Sequence, residues 1–498
     1  MHTARIPSVD APALSTLNLR PVASILGILL AILGGSMLLP ALVDFATRSG
    51  GHQSFIGAAA VTIFVGVLLW MSGREREVQK LDLRQAFFLT TSVWVVLTLF
   101  AALPLMWGSS QLSFTKAVFE AMSGLTTTGA STMSGLDAQA PGILLWRALL
   151  HWFGGVGIIA IAIAVLPVLS IGGMQLFRME SSDKSEKFLP RAGAVAKGLL
   201  IAYLLLTLAC AISYALAGLG LFDAVTLAMS TLSTGGFANS DYSLSVFKNP
   251  AVDYVAIVFM IAGALPFPLY LRALSGDTRR LITHSEVRVF LGLIAIFTAL
   301  SFAQQVFQGV ATGETALRGA LFTVVSLITT TGLMAVDYTN WGPLSDALFF
   351  VVMFLGGCTG STSGGLKAMR IAITGKAIRQ HLKRVMFRNG VFPVRYGGAP
   401  VSDDVVSSVL GFVFLYILTF LAVGICLNLM GLDIVTAFSA SIACLANVGP
   451  GLGPVVGPAS NFASLPDPAI WLLTLTMMLG RLEILTVLVL VLPRFWAR

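Results

Sequence analysis

Ten apolar stretches, each long enough to cross a bilayer as a helix, limit what this chain can become. They fall at 21–46, 53–72, 85–107, 143–170, 192–219, 252–274, 285–308, 345–375, 404–430 and 469–493, against a requirement of about 20 apolar residues per span. Charged residues are only 11% of the 498 and hydrophobic ones 56%. That leaves too few charges to cover a water-facing surface and is the opposite of a disordered composition. The apolar residues do not alternate every second position, which excludes an outer-membrane barrel. The expected class is an all-α polytopic membrane protein. The first 20 residues are polar and lack a cleavage site beside a short apolar core, so the first helix reads as retained rather than as a cleaved signal peptide.

The net charge of +8 follows the loops. If every second loop is cytoplasmic, 25 of the 31 Lys and Arg fall on that side, which puts both termini in the cytoplasm. The charge is then topology, not nucleic-acid binding. Cys210, Cys358, Cys426 and Cys444 show no metal-ligand or paired spacing. His2, His52, His151, His284 and His381 are far apart, and no HExxH or GxSxG occurs. An enzyme is therefore not expected, and alanine at each histidine should leave transport nearly intact. No Walker motif is present, and no dinucleotide glycine fingerprint follows a strand.

Four external segments carry a short apolar stretch followed by a Thr/Ser/Gly run. They read KAVFEAMSGLTTTGA (Lys116 to Ala130), DAVTLAMSTLSTGGF (Asp223 to Phe237), GALFTVVSLITTTGL (Gly319 to Leu333) and TAFSASIACLANVGP (Thr436 to Pro450). Alanine recurs at the second position (Ala117, Ala224, Ala320, Ala437), and serine at the eighth in three of them (Ser123, Ser230, Ser326). Glycine recurs in all four, as Gly129, Gly236, Gly332 and Gly449. The apolar part is too short to span, so each is read as re-entrant. The unit is helix, re-entrant helix, glycine run, helix, repeated four times about a pseudo-fourfold axis, with an extra N-terminal helix pair. The expected division is 1–80 for the pair, then 81–177, 178–280, 281–400 and 401–498 for the repeats. Irregular backbone at membrane depth is affordable only where it is buried in protein or lines water. Rings of carbonyls can replace the hydration shell of a monovalent cation. The candidate filter is Thr126, Thr127, Thr128 and Gly129; Ser233, Thr234, Gly235 and Gly236; Thr329, Thr330, Thr331 and Gly332; and Ala446, Asn447, Val448 and Gly449.

The third inner stretch reads FLGGCTGSTSGGLKAMR, Phe354 to Arg370. Gly356, Gly357, Gly360, Gly364 and Gly365 each cost a helix about 1 kcal/mol relative to alanine, so the helix should break near its middle, short of Lys367. The break lies between the filter and a basic loop, where a flexible segment can plug a pore. Gly154, Gly155 and Gly157 read instead as a helix-packing groove. Arg481, inside the last stretch, is expected to point into the bundle, toward carbonyls of the third-repeat loop or the permeation path. Glu483, two residues on, faces another side and is a poor partner. Glu120 and Asp223 either attract cations at the mouth or hydrogen-bond adjacent loops. The basic residues Lys376, Arg379, Lys383, Arg384, Arg388 and Arg395 fit either contact with anionic lipid or docking of a regulator.

The loops LTTTGA, LSTGGF, ITTTGL and LANVGP resemble those of the Trk/Ktr/HKT superfamily of potassium transporters. The extra N-terminal helix pair is similar to the Trk branch of TrkH- and TrkG-like membrane subunits. The resemblance covers nearly the whole chain. It implies potassium uptake across a bacterial inner membrane through a channel-like pore, a filter of one glycine per repeat, a mobile intramembrane loop as gate, and an arginine barrier at Arg481. It also implies a homodimer and a ring of nucleotide-binding subunits of the Trk A type, with potassium as substrate and no cofactor. In that family a serine at the first filter glycine goes with sodium transport; Gly129 argues for potassium. The fourth loop lacks the threonine triplet, which makes the filter asymmetric. A carrier coupling potassium to sodium or protons (a symporter) is the alternative, but the spans hold few ionisable residues for a relay.

Overall fold

The computed structural model describes residues 18–73, 82–164, 192–274 and 276–496. Several basic loop residues (Arg5, Arg74, Arg76, Lys80, Arg178, Lys184, Lys187, Arg191 and Arg498), His2, and the end of the 143–170 stretch lie outside them.

The described residues are mostly helical, with a two-stranded sheet of Arg395–Tyr396 and Ala399–Pro400. Among the described residues seven helices are long and apolar enough to cross a membrane, or nine if each of two sharply bent pairs is one span. The N-terminal part is α1 (Arg20–Ser36), α2 (Leu38–Ala46) and α3 (His52–Gly73). Gly27 and Gly34 on α1, and Gly66 and Gly73 on α3, lie seven residues apart and so share a face. An added Cβ on Gly27, Gly66 or Gly73 would fall under 3.0 Å from the backbone of the other helix, and one on Gly34 as close to the Ile63 side chain. This is small-residue packing as membrane helices use it. The pair docks on the first repeat through Asp44, which is fully buried and accepts the Gly142 N–H at 2.7 Å.

The first repeat holds α4 (Leu83–Ala101), α5 (Leu103–Trp107), α6 (Phe114–Leu125) and α7 (Pro141–Ala164). The second holds α8 (Ala192–Leu216), α9 (Leu221–Leu232), α10 (Pro250–Ala264) and α11 (Phe267–Leu274). The third holds α12 (Ser285–Phe307), α13 (Gly313–Ile328), α14 (Pro343–Val352) and α15 (Ala368–Met386). The fourth holds α16 (Asp403–Leu429), α17 (Ile434–Leu445), α18 (Asp467–Arg481) and α19 (Ile484–Val491). Helices α6, α9, α13 and α17 are the four short ones of the repeat. Their recurring alanines are all 0% exposed, which explains why nothing larger stands there.

The ten stretches need correction in three places. The 252–274 stretch bends by 96° between α10 and α11, because Pro266 holds Leu265 extended (ψ 155°). The 469–493 stretch bends by 111° between α18 and α19, with Glu483 at φ 65°. The 345–375 stretch is not one span: α14 ends at Val352 and helix resumes only at Ala368. Its glycine-rich middle is irregular and buried.

Candidate functional site

Each short helix ends one residue before its threonine-glycine run and closes in the same way. The N–H of Thr128, Gly235, Thr331 or Val448 reaches back to the carbonyl of Ser123, Ser230, Ser326 or Ala443 at 2.8–2.9 Å. The recurring serine therefore marks the residue whose carbonyl ties off the helix. Two residues past each helix the backbone is left-handed: Thr127 and Thr234 at φ 52°, Thr330 at 57°, Asn447 at 56°. Such a conformation is unusual for a β-branched residue and persists only where its surroundings hold it. The glycines follow, again with positive φ: Gly129 83°, Gly236 89°, Gly332 75° and Gly449 100°.

The four glycines close a ring. A Cβ on Gly129 would fall under 3.0 Å from the Gly235 carbonyl oxygen, one on Gly236 from that of Thr331, one on Gly332 from that of Val448, and one on Gly449 from that of Thr128. Each glycine thus abuts the residue before the next glycine, and the fourth repeat returns to the first. The remaining candidates, Thr126, Ser233, Thr329 and Ala446, are the helix C-caps. Thr126 and Thr329 turn their hydroxyls to Thr128 and Thr331 at 2.7 and 2.8 Å. In the fourth loop Asn447 takes the threonine's place, and its Nδ2 donates to Thr128 Oγ1 at 2.9 Å and to the Met477 carbonyl at 3.0 Å. The asymmetry seen in the sequence becomes a cross-link between the fourth and first loops. All four glycines line one cavity, together with residues that follow them in the chain.

The inner helices support the ring through glycine. Gly154, Gly263 and Gly480 each lie against the last carbonyl of a short helix, that of Leu125, Leu232 and Leu445. Gly155 packs on Tyr203 and Ser233, whereas nothing lies within 4 Å of a Cβ on Gly157.

Glu120 and Asp223 bond to neighbouring loops. Glu120 is 0% exposed and pairs with Arg147 at 2.9 Å. It also accepts the Thr132 N–H at 2.8 Å. Arg147 donates to the Ala238 carbonyl at 3.0 Å and stacks on Phe237 at 3.9 Å, so one ion pair joins the segments after the first and second glycines. Asp223 accepts from Asn239 at 2.7 Å.

His151 was missed. It is fully buried; the Phe237 N–H donates to Nε2 at 3.1 Å, and Nδ1 lies 2.9 Å from the Gly124 carbonyl. The first contact makes Nε2 an acceptor, so the proton sits on Nδ1 and donates to Gly124. The ring bridges the end of α6 to the residue after Gly236. This histidine bonds two buried backbone groups, the Gly124 carbonyl and the Phe237 N–H. Only the GG pair of the second loop hinted at it: a Cβ on Gly235 would strike the imidazole.

Below the ring lies the irregular segment between α14 and α15. Gly356 packs on Gly364 and Gly365, and Gly360 and Gly365 have φ 75° and 64°. The Leu366 N–H bonds the Phe354 carbonyl, and the Ala368 N–H that of Gly357. The segment is seated on the break in the second repeat. Breaking α10 leaves the Gly263 and Ala264 carbonyls without helical partners. They accept from Thr362 and Cys358 at 3.2 and 2.9 Å, while Phe267 donates to Gly360 at 3.0 Å. From this seat the segment reaches three of the four loops of the ring. Thr362 meets Thr234 at 3.2 Å; Thr330 accepts the Gly364 N–H at 2.7 Å; Gly364 lies against the Ala446 carbonyl. Arg481, 4% exposed, donates to the Thr362 carbonyl at 2.8 Å, and Lys367 to that of Ser363. Glu483 pairs with Arg370 at 2.6 Å rather than with Arg481. Lys367, Arg370, Arg481 and Glu483 line a second cavity with Gly364 and Gly365.

Comparison with known proteins gives the same architecture. The family model described as "TrkH: Cation transport protein" matches residues 51–496. The Trk system potassium uptake protein TrkI of Halomonas elongata is 42% identical over 477 residues, 96% of each chain. TrkH of Escherichia coli is 36% identical over 488 residues, 96% of this chain and 100% of its own. The crystal structure of the potassium transporter TrkH from Vibrio parahaemolyticus matches with a TM-score of 0.89 and 35% identity, over 96% of this chain and 99% of that one. With its likeness to these proteins running along nearly its whole length, the chain belongs to the TrkH family of cation transport proteins.

Proposed function

We propose that the protein takes up potassium across the bacterial inner membrane through a channel-like pore, with both termini in the cytoplasm. The carrying observation is the closed ring, in which each of Gly129, Gly236, Gly332 and Gly449 abuts a carbonyl of the next loop. The ring brings backbone oxygens from all four repeats to one place, as a cation stripped of water requires. The short helices end there, so their negative dipole ends favour a cation. The segment seated against three of the four loops is the gate, and Arg481 beneath it adds an electrostatic barrier. Helix α15 leads directly from that segment and exposes Lys376, Arg379, Lys383 and Arg384. This supports docking of a cytoplasmic nucleotide-binding ring of the Trk A type on a homodimer of this chain, with gate and docking helix continuous.

Coupling to sodium or protons would draw on a titratable relay. The buried acids Asp44, Glu120, Asp253, Glu286 and Glu483 are each engaged by an N–H, a hydroxyl or an arginine, which speaks for a channel-like path.

The test is rubidium uptake in cells lacking their own potassium uptake systems. Gly332→Asp should abolish uptake at equal membrane abundance, since its side chain would meet the Val448 carbonyl and Pro450; equal uptake by both chains would overturn the filter. His151→Ala should lower uptake, because it leaves the buried Phe237 N–H unpaired beside the ring, at about 1–3 kcal/mol, while the Gly124 carbonyl keeps the Thr127 N–H. The exposed His381→Ala should match the native chain, and the same assay compares the two.

A further inference from the structure

Glu286 stands in the first turn of α12 and is 2% exposed. Its Oε1 accepts the Thr359 N–H at 2.8 Å, the Thr359 hydroxyl at 2.9 Å and the Met369 N–H at 3.1 Å. The two anchors bracket the stretch that touches the filter loops: Thr359 precedes Gly360, and Met369 follows Lys367. A carboxylate receiving N–H donors away from water makes stronger bonds than a neutral acceptor. One acid on the outer helix of the third repeat therefore grips, at both its ends, the stretch that touches the filter loops, whose own glycines favour many conformations.

We infer that Glu286 is a positioning residue that latches the gate, holding the segment under the filter from α12. The inference rests on the pathway reading above. Thr362, Thr330 and Arg481 hold the segment from the side of the pore; Glu286 holds it from behind. Releasing both ends weakens the seated conformation relative to displaced ones and raises the fraction of open pores.

The direction of the effect separates a latch from a merely structural acid. At equal membrane abundance, Glu286→Ala should raise the initial rubidium uptake per protein several-fold. Glu286→Gln keeps an oxygen acceptor but no charge and should give a smaller rise. Thr359→Val removes only the hydroxyl anchor and should shift uptake the same way. Each rise should vanish when Gly332→Asp is added. Unchanged or lower uptake in Glu286→Ala, with native uptake still abolished by Gly332→Asp, would overturn the latch and leave the pathway standing. If Glu286→Ala does not reach the membrane, Thr359→Val decides, and no rise there overturns the latch. A rise that survives Gly332→Asp would instead overturn the pathway.

Discussion

Gly236→Ala is expected to bring rubidium uptake down to background while the protein stays in the membrane. Two effects act together. At φ 89° an L-residue is strained by about 1–2 kcal/mol. The new methyl would also fall under 3.0 Å from the Thr331 carbonyl oxygen and press toward Gly332. Both are backbone of the next loop, so relief must come from moving the ring itself. The other three glycines make the same contact with their own neighbours, and alanine at each should behave alike. Gly157→Ala is the matched control. It lies within α7, and nothing is within 4 Å of its added Cβ; alanine there favours the helix by about 1 kcal/mol. Uptake measured per unit of membrane protein should separate the two. Full uptake by Gly236→Ala would mean that the ring is not the narrow part of the path.

Arg147→Met should give the largest loss of stability. It leaves Glu120 charged, fully buried and without its cation, and breaking a buried pair by removing one partner costs about 3–5 kcal/mol. It also removes the donor to the Ala238 carbonyl and the cation stacked on Phe237. The thermal unfolding midpoint of the purified protein in detergent should fall sharply. Glu120→Gln combined with Arg147→Met should recover part of that fall, because it removes the unpaired charge. A double variant no better than Arg147→Met would mean that the stacking and the Ala238 bond, rather than the charge, carry the effect.

Much of this architecture was legible in the sequence because it is set locally. Apolar length gives membrane helices. The four Thr/Ser/Gly runs mark the loops, since a positive φ at a tight approach selects glycine whatever surrounds it. The break in the third inner stretch follows from five glycines within ten residues, a local backbone effect; the one after α10 does not stand out in the sequence, where 252–274 reads as a single span, although Pro266 is there. For Arg481 the sequence left two directions open, the carbonyls of the third-repeat loop or the permeation path, since a charge in a span must find carbonyls; it donates to the Thr362 carbonyl.

The tertiary structure alone decided what depends on groups distant in the chain. The order of the ring, first loop on second and fourth back on first, is set by how the repeats pack. The bend at Glu483 has no glycine or proline at the break, and its glutamate pairs with Arg370, 113 positions earlier. Glu286 and Thr359 are 73 positions apart, and His151 and Phe237 are 86 apart. Such partners leave no period or spacing in a single sequence. A buried polar group must be satisfied, but which distant group satisfies it is fixed only when the helices come together.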